Sequence, residues 1–323
     1  MDLITNSEKI NVGELHEKWQ FPSDHLPIGV RVDDLNIISW NVLNNTYIDW
    51  VIDKDSQGLK GSMISDLNVA VQSNGLTKRD QLVVEMINAM SNSSDVIALQ
   101  ECGIAFLAEL QDKLPPGWQI IKMTNAPVKD QDVILYNASA LSFRPDLSNF
   151  SYNSYPSTPG RGLMDAVFEK THTDHQIVRI LNGHIPGDPN LPGKEEFTRY
   201  VYEHSSPEEI TIALGDHNFE RDEMLEAYKK VGFTPADFEF YSPWCTNIDP
   251  YTKESKAIDH VFVKGATSHV LKPKEILDGY NLQETIELLN PSADINTINY
   301  ANPLNNAVLI ATPLLSNEFN FLE

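Results

Sequence analysis

Short apolar runs recur along this chain, and several end directly on an acid, an amide or an imidazole. Apolar runs of this length, bounded by polar residues, are typical of buried strands. Such strands are predicted at 28–32, 35–40, 95–99, 132–136, 163–168, 176–182, 210–214 and 258–263. One helix is predicted to open at a Thr77–Asp80 capping box, with an apolar stripe reaching Met90, and another covers about 221–231. Many strands with few helices predict a layered α/β sandwich.

The first two strands are predicted to form a hairpin. Its turn would be Asp33-Asp34, an acceptable two-residue turn. This turn predicts the facing pairs Val32–Leu35, Val30–Ile37 and Ile28–Ser39. Continuing that register makes Asp24 the diagonal neighbour of Asn41 on one sheet face, about 7–8 Å away at the backbone. His25 has the other parity, and we expect the chain to turn it inward at the strand end.

The side chains at the strand ends are those that a metal-assisted attack of water on phosphorus requires. Glu101 ends a mostly apolar run, where a carboxylate is costly unless it is paired or bound to metal. We expect Glu101 to be the principal metal ligand, with Asn41 and Asp24 beside it. Oxygen-rich ligands with few nitrogens favour Mg²⁺ or Mn²⁺ over Zn²⁺. Taken singly, each of these residues is more often a strand cap or a loop residue.

Hydrolysis of a phosphate ester also requires an oriented water, a group that takes its proton, and neutralisation of the phosphoryl oxygens. His25 is the candidate base, and Asp259 would fix its tautomer. Asp216 would position or deprotonate the water, and Asn218 would donate a hydrogen bond to the phosphate. His184 would donate to a phosphoryl oxygen or serve as the acid for the leaving group.

Two further basic or imidazole residues have weaker support. Arg161, between two glycines, is a candidate clamp for a substrate phosphate, although an exposed loop arginine is the commoner interpretation. His260, next to Asp259, is at least as well explained as a packed histidine.

Together these segments resemble the motif set of the endonuclease/exonuclease/phosphatase superfamily. The matching segments are Ser23-Asp24-His25, Ser39-Trp40-Asn41, Leu99-Gln100-Glu101, Asn182-Gly183-His184, Gly215-Asp216-His217-Asn218 and Ile258-Asp259-His260, within roughly residues 20–265. The resemblance implies a four-layer α/β sandwich, with two central mixed sheets flanked by helices, and Mg²⁺-dependent cleavage of a phosphate ester. It also implies a circular permutation, because the element expected last stands first. His217 stands where an apolar or aromatic residue is usual.

The same resemblance implies residue roles. Asn41 and Glu101 match the metal-proximal pair, and Asp24 matches the acid of the terminal motif. His25 matches the general base, supported by Asp259. The remaining matches, His184, Asp216 and Asn218, would surround the scissile phosphate.

Composition bears on partners and location. The net charge of −22 does not suit an enzyme that grips duplex DNA through phosphate contacts. No apolar run approaches the roughly 20 residues of a membrane span, and the first twenty residues lack an apolar signal core. Cys102 and Cys245 form no metal-type pair, which predicts reduced thiols. We expect a cytoplasmic protein, with export by a route that needs no N-terminal signal left open.

The predicted organisation is a catalytic domain over 1–265 and a C-terminal extension over 266–323 that packs on the same domain and carries no motif. Within the extension, a helix near 282–289 and a strand at 307–311 are predicted. Nothing in the sequence indicates a protein partner.

Three hypotheses about function remain open. The first is a metal-dependent phosphodiesterase acting on single-stranded nucleic acid or a nucleotide end; Trp40-Asn41-Val42-Leu43 followed by Tyr47 is most similar to the deadenylase-type branch. The second is a phosphatase or phospholipase C-like enzyme acting on a phosphoinositide, a sphingolipid or another small phosphate ester. A basic pocket of Arg161, Lys194 and Arg199 would favour it. The third is a catalytically inactive binding or effector module.

Overall fold

A computed structural model describes residues 22–48, 67–124, 131–150, 161–172, 175–242, 247–248, 255–271 and 273–276. Its strands are β1 (Ile28–Val32), β2 (Leu35–Asn41), β3 (Val96–Cys102), β4 (Trp118–Lys122), β5 (Gln131–Asn137), β6 (Leu141–Phe143), β7 (Leu163–Lys170), β8 (Ile177–His184), β9 (Ile210–Asp216), β10 (Glu239–Tyr241), β11 (Asn247–Ile248), β12 (Ser255–Lys256), β13 (Asp259–Lys264) and β14 (Ser268–Val270). Its helices are α1 (Lys78–Met90), α2 (Ile104–Lys113), α3 (Gly193–His204), α4 (Arg221–Val231) and the short α5 (Pro273–Ile276). The elements predicted near 282–289 and at 307–311, and Cys245, lie outside the described residues.

Two six-stranded mixed sheets form the centre of the fold. Their strand orders are β14-β1-β2-β3-β5-β4 and β10-β13-β9-β8-β7-β6. Each sheet has one parallel pair, β2 with β3 and β8 with β9, and its other neighbours are antiparallel. The carboxyl ends of two neighbouring strands therefore meet at one edge of each sheet.

Side-chain alternation divides the second sheet between two hydrophobic clusters. Ile180 and Ile212 belong to the larger cluster, which also contains the apolar residues of the first sheet and of α1 and α2. Their neighbours Leu181 and Ala213 point the other way, against α3 and α4. The layers are therefore α1 and α2, the first sheet, the second sheet, and α3 and α4. This is the predicted four-layer α/β sandwich with two central mixed sheets.

The predicted hairpin is confirmed. Val32 faces Leu35, Val30 faces Ile37 and Ile28 faces Ser39. Pairing ends at Ile28, however, so the register does not continue to Asp24. Instead Ser23 donates from Oγ to the Asn41 carbonyl at 2.7 Å. At the other end, the Nζ of the buried Lys170 donates to Asp34 in the turn at 2.6 Å, which ties the hairpin to the second sheet.

Of the five described helices, α1 and α4 were predicted, and α2, α3 and the short α5 were not. The Thr77–Asp80 capping box of α1 is present, and α4 spans the predicted residues. Met224, Ala227 and Tyr228 form the buried face of α4, whereas Leu225, expected inside, is half-buried. Helices α2 and α3 begin after Gly103 and Pro192 with no side-chain cap, so they lack the start signal that made α1 visible. Among the described residues, no helix has the length and apolarity to cross a membrane.

Candidate active site

The predicted catalytic residues gather at one end of the sandwich because of strand direction. Asn41 ends β2, and Glu101 lies next to the last residue of β3. His184 and Asp216 end the parallel strands β8 and β9 and face each other in register. Asp259 begins β13, which runs antiparallel to β9, so it faces Asp216 from the other side.

His25 forms a buried group with Asp259 and Asp216. Its Nδ1 lies 2.9 Å from Asp259 Oδ2, and its Nε2 lies 3.6 Å from Asp216 Oδ2. Asn247 Nδ2 also approaches Nε2, at 2.9 Å. A tautomer that donates from Nδ1 to Asp259 and accepts at Nε2 satisfies both ring nitrogens. Burial lowers the pKa of His25, but the charges of Asp259 and Asp216 outweigh burial, and the pKa is raised well above its ordinary value.

A second buried group joins Glu101, His184 and Asp216. His184 Nε2 lies 3.7 Å from Glu101 Oε1 and 3.5 Å from Asp216 Oδ2. On the other side of the ring, Arg161 Nη1 lies 2.5 Å from His184 Nδ1, where it donates to the neutral imidazole. Burial and then the Arg161 charge hold the pKa of His184 well below its ordinary value. His184 is therefore a neutral imidazole that can donate from Nε2.

Asp216 is common to both groups. It accepts from Asn41 Nδ2 at 3.0 Å and from the Asn218 backbone N–H at 3.0 Å. Burial, together with the Asp259 charge, raises its pKa to about 6, although His25 and the Asn41 hydrogen bond act in the opposite direction. The side chain of Asn218, predicted to donate to a phosphate, donates to the Ile185 carbonyl at 2.9 Å.

The donor atoms of these groups suit a divalent cation. In each group one ligand atom from every residue lies within 4.8 Å of the others, and all five side chains are buried. Buried carboxylates at such spacing repel one another unless a cation or a proton separates them. Carboxylate oxygens with one imidazole fit Mg²⁺ or Mn²⁺. Glu101 and Asp216 are the residues that would hold the ion, with Asn41 alongside and the Nε2–H of His184 directed at the same space.

Asp24 differs from its prediction. It belongs to neither group, and its electrostatic neighbours are His25, Asp259 and Arg79. The register argument that brought it next to Asn41 fails because strand pairing ends at Ile28. Ser23 occupies the position beside Asn41 instead. Burial raises the pKa of Asp24.

Backbone strain is concentrated in the same region. Five non-glycine residues of the described chain have positive φ, and three of them border the site: Leu43 (58°), Glu101 (62°) and Asn218 (56°). The pairing of β3 with β5 shifts register between Leu99 and Cys102, so Glu101 lies in a bulge. A bulge redirects a side chain out of the regular alternation. Such conformations cost about 1–3 kcal/mol each and cluster at functional sites.

A polar bridge between the sheets lies beneath the site. Gln100 Nε2 donates to Asn182 Oδ1 at 2.7 Å, and Asn182 Nδ2 donates to the carbonyls of Leu99 and Val133 at 3.0 and 3.1 Å. Gln100 precedes Glu101, and Asn182 lies two residues before His184. The bridge therefore fixes the two strands whose ends supply the second group.

Both remaining histidines of the motifs pack behind the site. His217 is fully buried, with its ring 4.8 Å from the Phe197 ring and 5.5 Å from the His260 ring. It acts as the aromatic filler usual at that position, and burial holds its pKa well below the ordinary value. His260 Nε2 lies 2.7 Å from the Phe219 carbonyl and Nδ1 lies 2.5 Å from Ser242 Oγ, as expected for a packed histidine.

Sequence reasoning missed two contributors, Asn247 and Arg79. Asn247 carries no motif, and its contact with His25 is separated by 222 positions in sequence. Arg79 is only 1 % exposed and donates to carbonyls of two separate loops. An arginine on the first turn of a predicted helix normally indicates a solvated face, which concealed its burial.

An open cavity of about 210 Å³ lies beside Glu101. Its walls come from the loop after β2, the turn before α1 and the start of α2. They include Asn44, Asn45, Asn74, Asp80, Ile104 and Phe106. Arg79 is the one basic residue among the described residues of the cavity wall. Its hydrogen bonds go to Pro22, Val42, Leu43, Asn45 and Asp80.

No protein-family model matches the chain, and no curated protein matches it. Several solved structures are similar to it. D. rerio TDP2, complexed with single-strand DNA product, is 18 % identical, with a TM-score of 0.46 over 72 % of this chain and 84 % of that chain. ANGEL2, described as a 2′,3′-cyclic phosphatase, is 13 % identical, with a TM-score of 0.48 over 76 % of this chain and 89 % of that chain.

A third similar structure is an endonuclease/exonuclease/phosphatase family protein from Bacteroides thetaiotaomicron. It is 16 % identical, with a TM-score of 0.47 over 74 % of this chain and 82 % of that chain. The circular permutation stays a prediction. The solved structures to which the chain is similar thus include members of the endonuclease/exonuclease/phosphatase superfamily, whose motif set the sequence resembles.

Proposed function

We propose that this protein is a metal-dependent phosphoesterase that hydrolyses a phosphodiester bond. The observation that carries the proposal is the pair of buried groups that share Asp216, with His25 and Asp259 on one side and Glu101 and His184 on the other. One side offers a proton acceptor oriented by a carboxylate. The other offers oxygen ligands for a cation. Phosphodiester hydrolysis needs both within reach of one phosphorus atom.

The proposed roles follow from the contacts of each side chain. Asp259 holds His25 through Nδ1, so that Nε2 is directed toward Asp216. His25 in its neutral form, together with Asp216, would orient the attacking water and take its proton, and the positive charge of a bound cation would favour that neutral form. Asn41 fixes Asp216 through its amide, and Ser23 in turn fixes the Asn41 backbone.

The opposite side of the site stabilises charge. His184 donates from Nε2 to a phosphoryl oxygen or to the leaving oxygen, while Arg161 beside it adds positive charge. Glu101 and Asp216 are the residues that would hold Mg²⁺ or Mn²⁺. When bound, the cation neutralises charge on the phosphate and lowers the pKa of bound water.

The cavity beside Glu101 supports a substrate whose phosphate carries an uncharged group. Among the described residues, amide, apolar and acidic side chains line it, and the one arginine among them is engaged with carbonyl and side-chain oxygens. Of the side chains described there, Asp80 and Glu101 would repel a second phosphate. A nucleotide end, which places an uncharged nucleoside in the cavity, meets this requirement better than a multiply phosphorylated inositol.

The basic pocket that would favour the phosphoinositide hypothesis has little support. Lys194 lies over the Phe219 ring at 4.2 Å and pairs with Glu223 at 3.6 Å. Arg199 is exposed on α3. Among the contacts of the described residues, neither joins Arg161. Hydrolysis assays with each class of substrate would distinguish the sphingolipid and small-ester alternatives.

Hydrolysis of bis-p-nitrophenyl phosphate and of the mono-ester tests the proposal. We expect diester cleavage that requires Mg²⁺ or Mn²⁺, stops with EDTA, and falls by about 10²–10⁴-fold in Glu101→Ala. Glu109→Ala, at a glutamate on α2 that is 17 % exposed and pairs with Lys113, is the matched control and leaves activity unchanged. Faster cleavage of the mono-ester would favour the phosphatase hypothesis. No cleavage, together with no metal-induced rise in melting temperature, would favour the inactive binding module.

A further inference from the structure

Arg79 lies on α1, but its hydrogen bonds go to the loops around the site and are not needed to form the helix. Its Nη1 donates to the Pro22 carbonyl at 2.7 Å and to the Val42 carbonyl at 2.8 Å. Its Nη2 donates to the Leu43 carbonyl at 2.5 Å. The loop that contains Pro22 leads directly into His25, and the loop that contains Val42 and Leu43 follows Asn41.

The Leu43 contact continues to the candidate metal ligand through a single peptide unit. Arg79 binds the oxygen of the Leu43–Asn44 peptide, and the N–H of the same peptide donates to Glu101 Oε2 at 3.0 Å. A peptide held between a cation and a carboxylate is polarised in the direction that strengthens both hydrogen bonds. Glu101 is thereby held at Oε2, while Oε1 is the atom that faces His184.

The backbone that transmits this contact is strained and needs a restraint. Leu43 has a φ of 58° and Glu101 a φ of 62°, conformations that a leucine and a glutamate rarely adopt. Strained residues persist only where surrounding contacts hold them. The planar guanidinium supplies several fixed donors at once, and a lysine ammonium does not reproduce that geometry.

Arg79 is also placed to hold the two halves of the site in register. Pro22 lies just before Ser23, which donates to the Asn41 carbonyl and accepts from the His25 backbone N–H. One side chain therefore fixes both the loop that carries His25 and the loop that fixes Glu101. It also lies close enough to Asp24 and Glu101 for their charges to act on it.

We propose that Arg79 is a positioning residue that aligns Glu101 for the cation through the Leu43–Asn44 peptide. The inference rests on the proposed function, because it requires that Glu101 bind a metal. Arg79 does not touch the cation, and where it lines the cavity its guanidinium is engaged with carbonyl and side-chain oxygens. Outer contacts of this kind change metal affinity or activity by about 10–100-fold when they are lost.

The test compares Arg79→Lys with Arg179→Lys. Arg179 is the matched control because it is a mostly buried arginine, paired with Asp165 at 2.6 Å and Glu209 at 3.3 Å. It lies five residues before His184 on β8, roughly 16 Å from the site. Mn²⁺ is titrated against the melting temperature of each protein and, separately, against bis-p-nitrophenyl phosphate hydrolysis.

We expect Arg79→Lys to raise the Mn²⁺ concentration for half of the melting-temperature shift by about tenfold or more. The half-saturating Mn²⁺ for activity should rise by the same factor, with kcat at saturating Mn²⁺ within about threefold of wild type. Arg179→Lys should lower the melting temperature without changing either half-saturation. An Arg79→Lys protein with unchanged Mn²⁺ half-saturation would overturn the inference, since a purely structural role lowers only the melting temperature.

Two further outcomes are distinguishable. If wild type shows neither a Mn²⁺-dependent shift nor hydrolysis, the proposed function fails and the inference fails with it. If Arg79→Lys does not unfold cooperatively, Arg79→Gln takes its place. If neither Arg79 variant folds while Arg179→Lys does, the guanidinium is needed for the fold itself and the inference is overturned.

Discussion

At the scale of single residues, the candidate site is a dense set of ionisable groups held out of water. Asp216, Asp259 and Glu101 lie beside two imidazoles, and all five side chains are less than one-tenth exposed. Burying charged carboxylates costs free energy unless they are paired or hydrogen-bonded. The Asp259–His25 contact and the hydrogen bonds of Asn41 and Asn44 offset part of that cost. Such an arrangement is expensive for stability and suited to catalysis.

We expect Asp259→Asn to impair the chemical step while the fold persists. Asparagine is nearly isosteric with aspartate but carries no charge to orient and stabilise the His25 imidazole. kcat should fall by about 10²–10⁴-fold, the usual contribution of general acid–base catalysis. Steady-state kinetics at saturating metal measure the effect. A melting temperature equal to that of wild type must accompany it, and an unchanged kcat would contradict the assigned orientation of His25.

His260 predicts a dependence of stability on pH. Burial lowers its pKa from 6.5 to about 4. A histidine whose folded-state pKa lies below its unfolded value contributes stability that is present above the unfolded pKa and is lost as pH falls. Between pH 7 and pH 4 the loss from this residue amounts to roughly 3 kcal/mol, at about 1.4 kcal/mol for each unit of pKa.

Denaturant unfolding at several pH values measures this loss. We expect His260→Gln to reduce stability at pH 7, because the contacts with Phe219 and Ser242 change, and to flatten its decline toward pH 4. His269→Gln, at an exposed histidine on β14, serves as the control and should leave the slope unaltered. An identical slope in His260→Gln and wild type would show that this residue does not titrate as described.

Site residues could be predicted from the sequence where the local sequence pattern marked them. Asn41, Glu101, His184 and Asp216 were found because each follows an apolar run, and strand direction then brought them together. Asp24 was misplaced because a register argument holds only while pairing continues, and β1 begins at Ile28. Arg79 was missed because burial of a helix arginine is decided by loops distant in sequence.

At the scale of elements, the parallel pair β8–β9 determines the geometry of the site. Gly183 and Gly215 face each other one position before the His184–Asp216 pair. Gly215 has a φ of 135°, and a Cβ there would lie 2.0 Å from the Gly183 carbonyl oxygen. The two strands approach this closely only because neither has a side chain at that point. The approach brings His184 and Asp216 within reach of one ligand.

Gly215→Ala should therefore be strongly destabilising. The clash is with backbone, which cannot move aside, and the φ is one that L-residues rarely adopt, so we expect a loss of at least about 3 kcal/mol. Denaturant unfolding at pH 7 measures it. Gly103→Ala is the control, since its new Cβ would meet nothing nearer than Asn44 Nδ2 at 3.5 Å. Equal stability of the two variants would contradict the described packing of β8 on β9.

Elements were predictable where they carried their own signals. The β1–β2 hairpin had a turn and matched apolar strands, and α1 had a capping box. The three-residue strands β6 and β14 and the uncapped α2 and α3 had neither. Tertiary packing against the sheets stabilises these elements more than their local sequence does.

At the scale of the whole molecule, charge and site make opposite demands. A phosphate substrate must approach a protein of net charge −22. Long-range repulsion of this kind slows association with polyanions and is screened by salt. The local charge becomes favourable only where a cation and Arg161 offset the carboxylates. The sequence predicted this balance of charge, but not the shape of the cavity beside Glu101, which three loops build together.

We expect kcat/KM for a single-stranded oligonucleotide to rise by about twofold to tenfold as NaCl increases from low to physiological concentration, because salt screens the repulsion. Bis-p-nitrophenyl phosphate carries one charge and serves as the control, with a smaller change. A rate on the oligonucleotide that falls steeply with salt would instead indicate a basic path for the strand.

The position of the cation is central to the proposed function, and a crystal soaked in Mn²⁺ tests that position directly. Anomalous scattering at the manganese edge locates the ion without reference to activity. We predict a peak between Glu101 Oε1 and Asp216 Oδ2, at about 2.0–2.6 Å from at least one of these carboxylate oxygens. A peak elsewhere, or none at saturating Mn²⁺, would contradict the assignment of this site as a metal-dependent phosphodiesterase centre.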